Sequence, residues 1–484
     1  MEHTNAFPTG KREMIFCAAM VIIGLFLANS ILMGGYRLGF AIAACASIAA
    51  GYTYLSASGH RGSWYTRSIL ALCLLIAAGF GYSGDSGVKA ILLLFLLVGV
   101  NLALCQMAGQ NRRDPGQFNS LLDAPRALLM LGVAKVGTAV RGVMVFFREG
   151  GEASRRTGAV LAGLLIVLPV LAIMIPLLMS ADAAFEGLMD LLPEVNMGEI
   201  FSTLIWGACL SMVLYARGVA LNWEVHNTTP IKTRKGLHLF TVNTLLFSVC
   251  ALYLTYLFSQ IAYFSGGFLG ILPDGYSTAE YARRGFFEMA WLCAINLSII
   301  ACSLWFVSRQ APAPLSTRLS CLFIGLITLF LVSASCAKMV LYIHTYGLTR
   351  LRILTMAIIL FLAVSTGLVC IRLFVPKLPY MKAVILAALI IGAALLWMDV
   401  DATVARYNVS AYLSGDLSQI DTAHLGCLGN SALPYLEDLT HCADPEVSTA
   451  AKDLIHHWHI PAIEDFRSWT YMDHRAWNFK YGTK

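Results

Sequence analysis

The 484-residue chain is 58% hydrophobic and only 13% charged, with a mean hydropathy of +0.70. A soluble domain carries about a quarter charged residues, so this composition excludes one and points to many membrane spans. The net charge of +6 suits loops that set membrane orientation and gives no reason to invoke nucleic acid. Eleven of the thirteen cysteines lie in apolar runs, where cysteine acts as a small hydrophobe, so a disulfide scaffold is excluded too.

Crossing a hydrocarbon core of about 30 Å takes about 20 apolar helical residues. On that criterion eleven spans are expected, at 14–33, 38–55, 68–82, 88–107, 158–179, 201–221, 237–258, 285–307, 319–342, 353–375 and 381–397. Lys11 and Arg12 ahead of the first run suggest a signal peptide, but the run is too long and no small-residue cleavage site follows, so it reads as a span. The fold class is therefore all-α, a polytopic membrane protein of about eleven transmembrane helices with a small helical C-terminal domain. The expected organisation is four helices in 1–107, a basic cytoplasmic segment in 108–157, seven helices in 158–412 and an extracytoplasmic helical tail in 413–484.

Alternation from a cytoplasmic N-terminus puts 21 Lys and Arg on the inner side and 7 in the outer loops and span ends. That threefold bias leaves the C-terminus outside. Residues 127–147 are apolar enough to rival a span, yet Lys135 and Arg141 near the middle favour an interfacial helix. Pro169 and Pro176 kink the fifth span. After it, residues 180–200 hold Asp182, Glu186, Asp190, Glu194 and Glu199 with no Lys or Arg, an acidic outer loop whose first three acids form one helical stripe.

Three polar strings follow, all on the outer side. Ser277 and Glu280 form a capping box, and Glu280, Arg284 and Glu288 repeat every four residues as one charged stripe, with Tyr281 and Arg283 in the same string. Lys338 and Tyr346 precede Gly347, a helix terminator, and Arg350 and Arg352 flank the next helix start. Asp399 and Arg406 share a helical face at i, i+7, while Asp401 points elsewhere and Asn408 closes the string. Asn296, near the middle of the eighth span, reads as an interhelical hydrogen bond.

These strings, YARRGFFE at 281–288, YGLTRLR at 346–352 and DVDATVARYN at 399–408, resemble those of a bacterial family of multi-spanning membrane proteins catalogued as a domain of unknown function. The resemblance covers residues 181–439 and implies a bacterial cell membrane, with no reaction, ligand or partner attached.

Two readings of the outer cluster stay open. Arginine–carboxylate pairs lock helices together without a ligand; alternatively the cluster is a pocket for an anionic headgroup. Arg284 is paired first with Asp401. In the tail, Ile420, Leu425 and Leu428, then Leu433, Leu436 and Leu439, then Val447, Ala451, Leu454 and Ile455 mark three short amphipathic helices. Cys427 and Cys442, the two cysteines outside the spans, are either a disulfide or two free thiols. His441, His456, His457 and His459 lack a metal-ligand spacing, and no cofactor is implied. No phosphate-binding Gly-rich loop, HExxH or GxSxG occurs. A non-enzymatic envelope sensor or assembly protein ranks first, a membrane enzyme on a lipid-linked or anionic envelope substrate second, and a transporter third. The expected partners are the lipid bilayer and an envelope protein or lipid-linked ligand.

Overall fold

A computed structural model describes residues 10–84, 86–111, 197–223, 238–268, 286–307, 314–460 and 465–482, with isolated positions between 135 and 180. The chain is an all-α polytopic membrane protein. Its long helices are α1 (Lys11–Gly34), α2 (Leu38–Ala57), α3 (Trp64–Gly79), α4 (Ser86–Met107), α5 (Met197–Trp223), α6 (Leu239–Phe268), α7 (Phe286–Val307), α8 (Leu315–Tyr346), α9 (Arg350–Phe374) and α10 (Tyr380–Met398). Ten of the eleven expected spans coincide with these; most of the expected span 158–179, of the interfacial helix 127–147 and of the acidic outer loop lies outside the described residues. Glu199 belongs to the first turn of α5 rather than to a loop.

Nine of the ten are long and apolar enough to cross a membrane. The exception is α3, whose 16 residues extend about 24 Å at 1.5 Å per residue. Local chemistry sets the helix ends. Ser63 accepts from Thr66 N at 3.3 Å to open α3, Thr349 accepts from Arg352 N to open α9, and Gly347, at φ 74°, closes α8.

Polar contacts sort the helix ends into two groups. At one end Arg12 donates to the Ala57 carbonyl (2.8 Å), Tyr54 donates to Glu13 (3.3 Å), Asn222 reaches Tyr54, and Gln110 donates to the Leu221 carbonyl (3.1 Å). At the other, Asn29 reaches Thr203 (3.3 Å), and the backbones of Leu38, Gly81 and Tyr82 bond to residues 469–472 of the tail. The start of α1 and the tail therefore sit at opposite ends of the bundle.

Between the two ends the packing relies on small residues. A Cβ on Gly24 would collide with the Ser211 backbone and hydroxyl, and one on Gly207 would stand 2.9 Å from Leu25 Cα, so α1 and α5 touch nearly backbone to backbone. One core joins α1–α5 with α10 and the tail. Two smaller ones lie among α6–α9, one of them reaching the start of α10. There Asn296 accepts from Tyr253 (2.8 Å) and donates to Thr328 (3.0 Å), an interhelical bond within the bilayer.

Beyond α10 come α11 (Val400–Leu413), α12 (Thr422–Gly426), a 3-10 helix (Asn430–His441), α13 (Pro445–His457) and α14 (Tyr471–Tyr481). The middle amphipathic segment is thus a 3-10 helix, not an α-helix. Leu433, Leu436 and Leu439, all fully buried, recur every three residues, and at three residues per turn they eclipse on one side. Helix α14 carries no regular apolar stripe, and the sequence reading omits it. The structure joins Cys427 and Cys442 by no bridge. The twelve-residue 3-10 helix between them rises about 2 Å per residue, which separates its ends well beyond the reach of a disulfide.

Two outcomes are expected. Gly24→Leu should destabilise the detergent-solubilised protein by about 1–3 kcal/mol or more, whereas Gly367→Leu, where a Cβ meets nothing within 4 Å, should leave the thermal midpoint almost unmoved. Thiol labelling of denatured, unreduced protein should modify both Cys427 and Cys442; protection of the two together would show a bridge.

Candidate functional site

The tail-side end of the bundle gathers the most deeply buried carboxylates among the described residues. Asp399 is fully buried and is the N-cap of α11, the one described non-glycine residue with positive φ (49°). Its Oδ1 accepts from Ala402 N (3.0 Å) and Ser431 Oγ (2.7 Å), its Oδ2 from Ser83 Oγ and Gly84 N (3.1 Å each). One carboxylate thus ties the α3–α4 loop, the start of α11 and the 3-10 helix of the tail. The positive φ suits aspartate, whose short polar side chain bonds locally and tolerates that side of the map better than most residues. As a cap rather than a helical residue, Asp399 does not share a face with Arg406, contrary to the i, i+7 reading.

Asp401, in the first turn of α11, is 1% exposed. Arg350 grips it with two nitrogens, Nε on Oδ1 and Nη2 on Oδ2, the latter at 2.7 Å. The planar guanidinium fork matches a carboxylate in this way and a lysine does not. A third donor, Gly429 N, reaches Oδ2 at 2.9 Å. A Cβ on Gly429 would lie 2.6 Å from that oxygen, so only glycine lets the tail backbone come this close. The sequence pairs Asp401 with Arg284; the described cation on it is Arg350, and Arg284 lies outside the described residues together with Glu280, Tyr281 and Arg283.

The other motif residues divide by role. Asn408 clasps the α8–α9 turn, accepting from Leu348 N (2.6 Å) and donating to Leu348 O (2.8 Å). Arg352 donates to the carbonyls of Tyr346 (2.9 Å) and Gly347, which end α8, while its guanidinium lies 4.1 Å from the Tyr342 ring centre. Tyr346 and Glu288 are exposed, and Lys338 is half-buried on α8. Arg406 is exposed and lines a groove of about 420 Å³ with His344, Tyr407, Ser410 and Asp416.

Beside the aspartates the tail makes a second knot. Buried Asp473 accepts from Thr470 Oγ1 (2.7 Å) and Asn430 Nδ2 (3.0 Å), and Arg37 stands 3.6 Å away. Tyr82 stacks between Trp397 and Tyr471, with ring centres 5.0 and 5.4 Å apart. Burial, and then the charge of Asp399, push its phenol above the ordinary tyrosine range.

Ser83, Gly84, Gly429, Ser431 and Asp473 are absent from the sequence reading. The signal for Asp473 is present, since Thr470 and Asp473 form a capping box like that of Ser277 and Glu280. Asn430 and Ser431 read only as a helix break, and nothing local tells a linking glycine such as Gly429 from one that seats a carboxylate.

Asp399→Ala should cost about 2 kcal/mol or more, since it removes the acceptor shared by two buried hydroxyls and two backbone N–H groups. Gly429→Ala should cost about 1–3 kcal/mol. Thermal unfolding in detergent measures both, and a loss under 0.5 kcal/mol in either variant would show that its contact carries no load.

No curated protein and no solved structure matches the chain. The family described as Domain of unknown function (DUF4153) matches residues 15–439. The match begins within the first span, well ahead of the 181–439 stretch on which the sequence resemblance rests, and it includes Ser83, Gly84, Gly429 and Ser431 but not Asp473. With most of its length in that match, the chain belongs to the DUF4153 family.

Proposed function

We propose that this membrane protein is a non-enzymatic component of the bacterial cell envelope, a sensor or assembly element whose helical tail is locked onto the spans by the two aspartates. The carrying observation is the saturation of both carboxylates: Asp399 takes four donors and Asp401 three, all from the chain itself. A general base needs an oxygen free for the proton it takes, and these oxygens are engaged. The interior polar bonds of Asn296 join helices to one another, which gives the transporter reading no support.

On this reading the start of α1 faces the cytoplasm and the tail the envelope, as the 21 to 7 distribution of Lys and Arg favours. The parity agrees. Helix α4 finishes beside the end of α5 through Gln110 and Leu221, whereas α5 begins at the tail end beside Asn29. The described ends on either side of 112–196 therefore lie at opposite ends of the bundle, as that orientation requires. The units proposed are 1–107, 108–157, 158–412 and 413–484, with the bilayer and an envelope component as partners.

A double-mutant cycle tests the clamp. Arg350→Ala and Asp401→Ala should each cost about 3 kcal/mol, the low end of the buried-pair range, because the Arg350 side chain is 43% exposed. The double mutant should lose little more than either single one. Full stability in both single variants together with loss of the cellular phenotype would instead favour an enzyme acting on an anionic envelope substrate. A cytoplasm-only fluorescent reporter fused after Lys484 should stay dark, and a bright fusion would reverse the orientation.

A further inference from the structure

Of the three arginines in the two described strings, Arg350 is committed to Asp401 and Arg352 to the end of α8. Arg406 has no hydrogen-bond or ion-pair partner among the described residues, although it belongs to the same helix that carries the clamp. It opens into the groove of about 420 Å³. Three further groups on the groove wall, His344 at the end of α8 and Tyr407 and Ser410 on α11, likewise have side-chain polar atoms with no partner among the described residues. Arg406 and Ser410, four residues apart, lie on one face of α11. The single carboxylate in the wall is Asp416, which accepts from Ser414 through one oxygen (2.8 Å) and is exposed.

The level of this groove follows from what α11 touches. Asp401 near its start meets Arg350, Asn408 two turns on meets Leu348, and Leu417 beyond its end comes within reach of Gly347. Helix α11 therefore lies across the ends of α8 and α9 instead of standing away from the bundle. Both of those helices have the length and composition of membrane spans, so their ends, and Arg406 with them, fall at headgroup depth, in the layer of about 5–7 Å outside the hydrocarbon core.

We propose that the groove binds a zwitterionic amino-phosphate headgroup of the phosphoethanolamine type. Arg406 takes the phosphate, with Ser410, Tyr407 and His344 as supporting hydrogen-bond groups, and Asp416 takes the ammonium. Charge complementarity selects this class. One guanidinium fits a phosphodiester monoanion, while a carboxylate in the same wall repels a ligand that is only anionic and attracts one that also carries an amine. The inference goes beyond the clamp and stands without it, because clamp and groove use different residues of α11.

The experiment uses the full chain purified in a neutral detergent. Binding of phosphatidylethanolamine and of phosphatidylglycerol is measured by native mass spectrometry, and binding of soluble O-phosphoethanolamine by calorimetry. The wild-type chain should prefer phosphatidylethanolamine. Arg406→Gln should weaken that binding about tenfold or more, Arg406→Lys should restore part of it, and Asp416→Asn should reduce the preference over phosphatidylglycerol. Binding of the soluble compound as tight as that of the lipid would identify the source as a free amino-phosphate; binding of the diacyl form alone would identify the bilayer. Arg406→Gln, on an exposed face, should leave the thermal midpoint in place, which separates failure here from failure of the clamp; Ser410→Ala, a smaller change, serves as the second variant and should weaken binding in the same direction. Equal affinity of the wild-type chain for the two lipids, or unchanged binding in Arg406→Gln, overturns the proposal.

Discussion

A carboxylate removed from water must recover nearly all of its hydration from protein donors, and at the tail-side end of this bundle two carboxylates two residues apart both have to do so. The cost of leaving either unmatched is several kcal/mol. That demand dictates the local architecture. The α3–α4 loop has to bring Ser83 and Gly84, the start of α9 has to bring Arg350, and the tail has to bring Gly429 and Ser431. Segments separated by more than three hundred residues are fixed to one another because they share acceptors. Hydrophobic burial alone would not select that register, since lipid solvates an apolar helix face about as well as a neighbouring helix does.

Within the bilayer the same logic takes a different form. With little hydrophobic drive to bring helices together, close contact depends on small residues and a few interhelical hydrogen bonds. Gly24 against Ser211 and Gly207 against Leu25 bring α1 and α5 together, and Asn296 joins Tyr253 to Thr328. The tail is built on soluble-protein rules, with capped short helices and a stripe of leucines, and it adds to the core that already holds α1–α5 and α10.

The spans were legible because a membrane imposes one length and one composition, and ten of the expected eleven appear as helices with ends within about four residues of the expected ones, except that α6 runs on past 258 to Phe268. The polar strings were legible as unusual but not as partners. Asp401 and Arg350 are 51 residues apart, and no local period relates them. The i, i+7 pairing of Asp399 with Arg406 fails because φ of +49° takes Asp399 off the helix, which a sequence pattern does not register. Leu433, Leu436 and Leu439 show that spacing alone separates a 3-10 from an α-helix only when every interval is three. The groove behind Arg406 was hidden for a different reason: its lining includes His344, more than sixty residues earlier in sequence, and only the fold brings it beside Arg406.

Helix α11 unites the two halves of this argument. Residues five apart on an α-helix point about 140° from each other, so Asp401 faces inward and Arg406 outward from one short rod. The inward face, with Asp401, Val404, Ala405 and Asn408 buried, is held by ion pairs and hydrogen bonds at both ends of the helix. The outward face inherits that rigidity without contributing to it, and a side chain mounted on a fixed backbone loses less entropy on meeting a ligand than one on a loop. The clamp is thus what makes an open arginine beside it useful: anything that loosens Asp401 from Arg350 also blurs the position of Arg406, whereas replacing Arg406 leaves the clamp untouched.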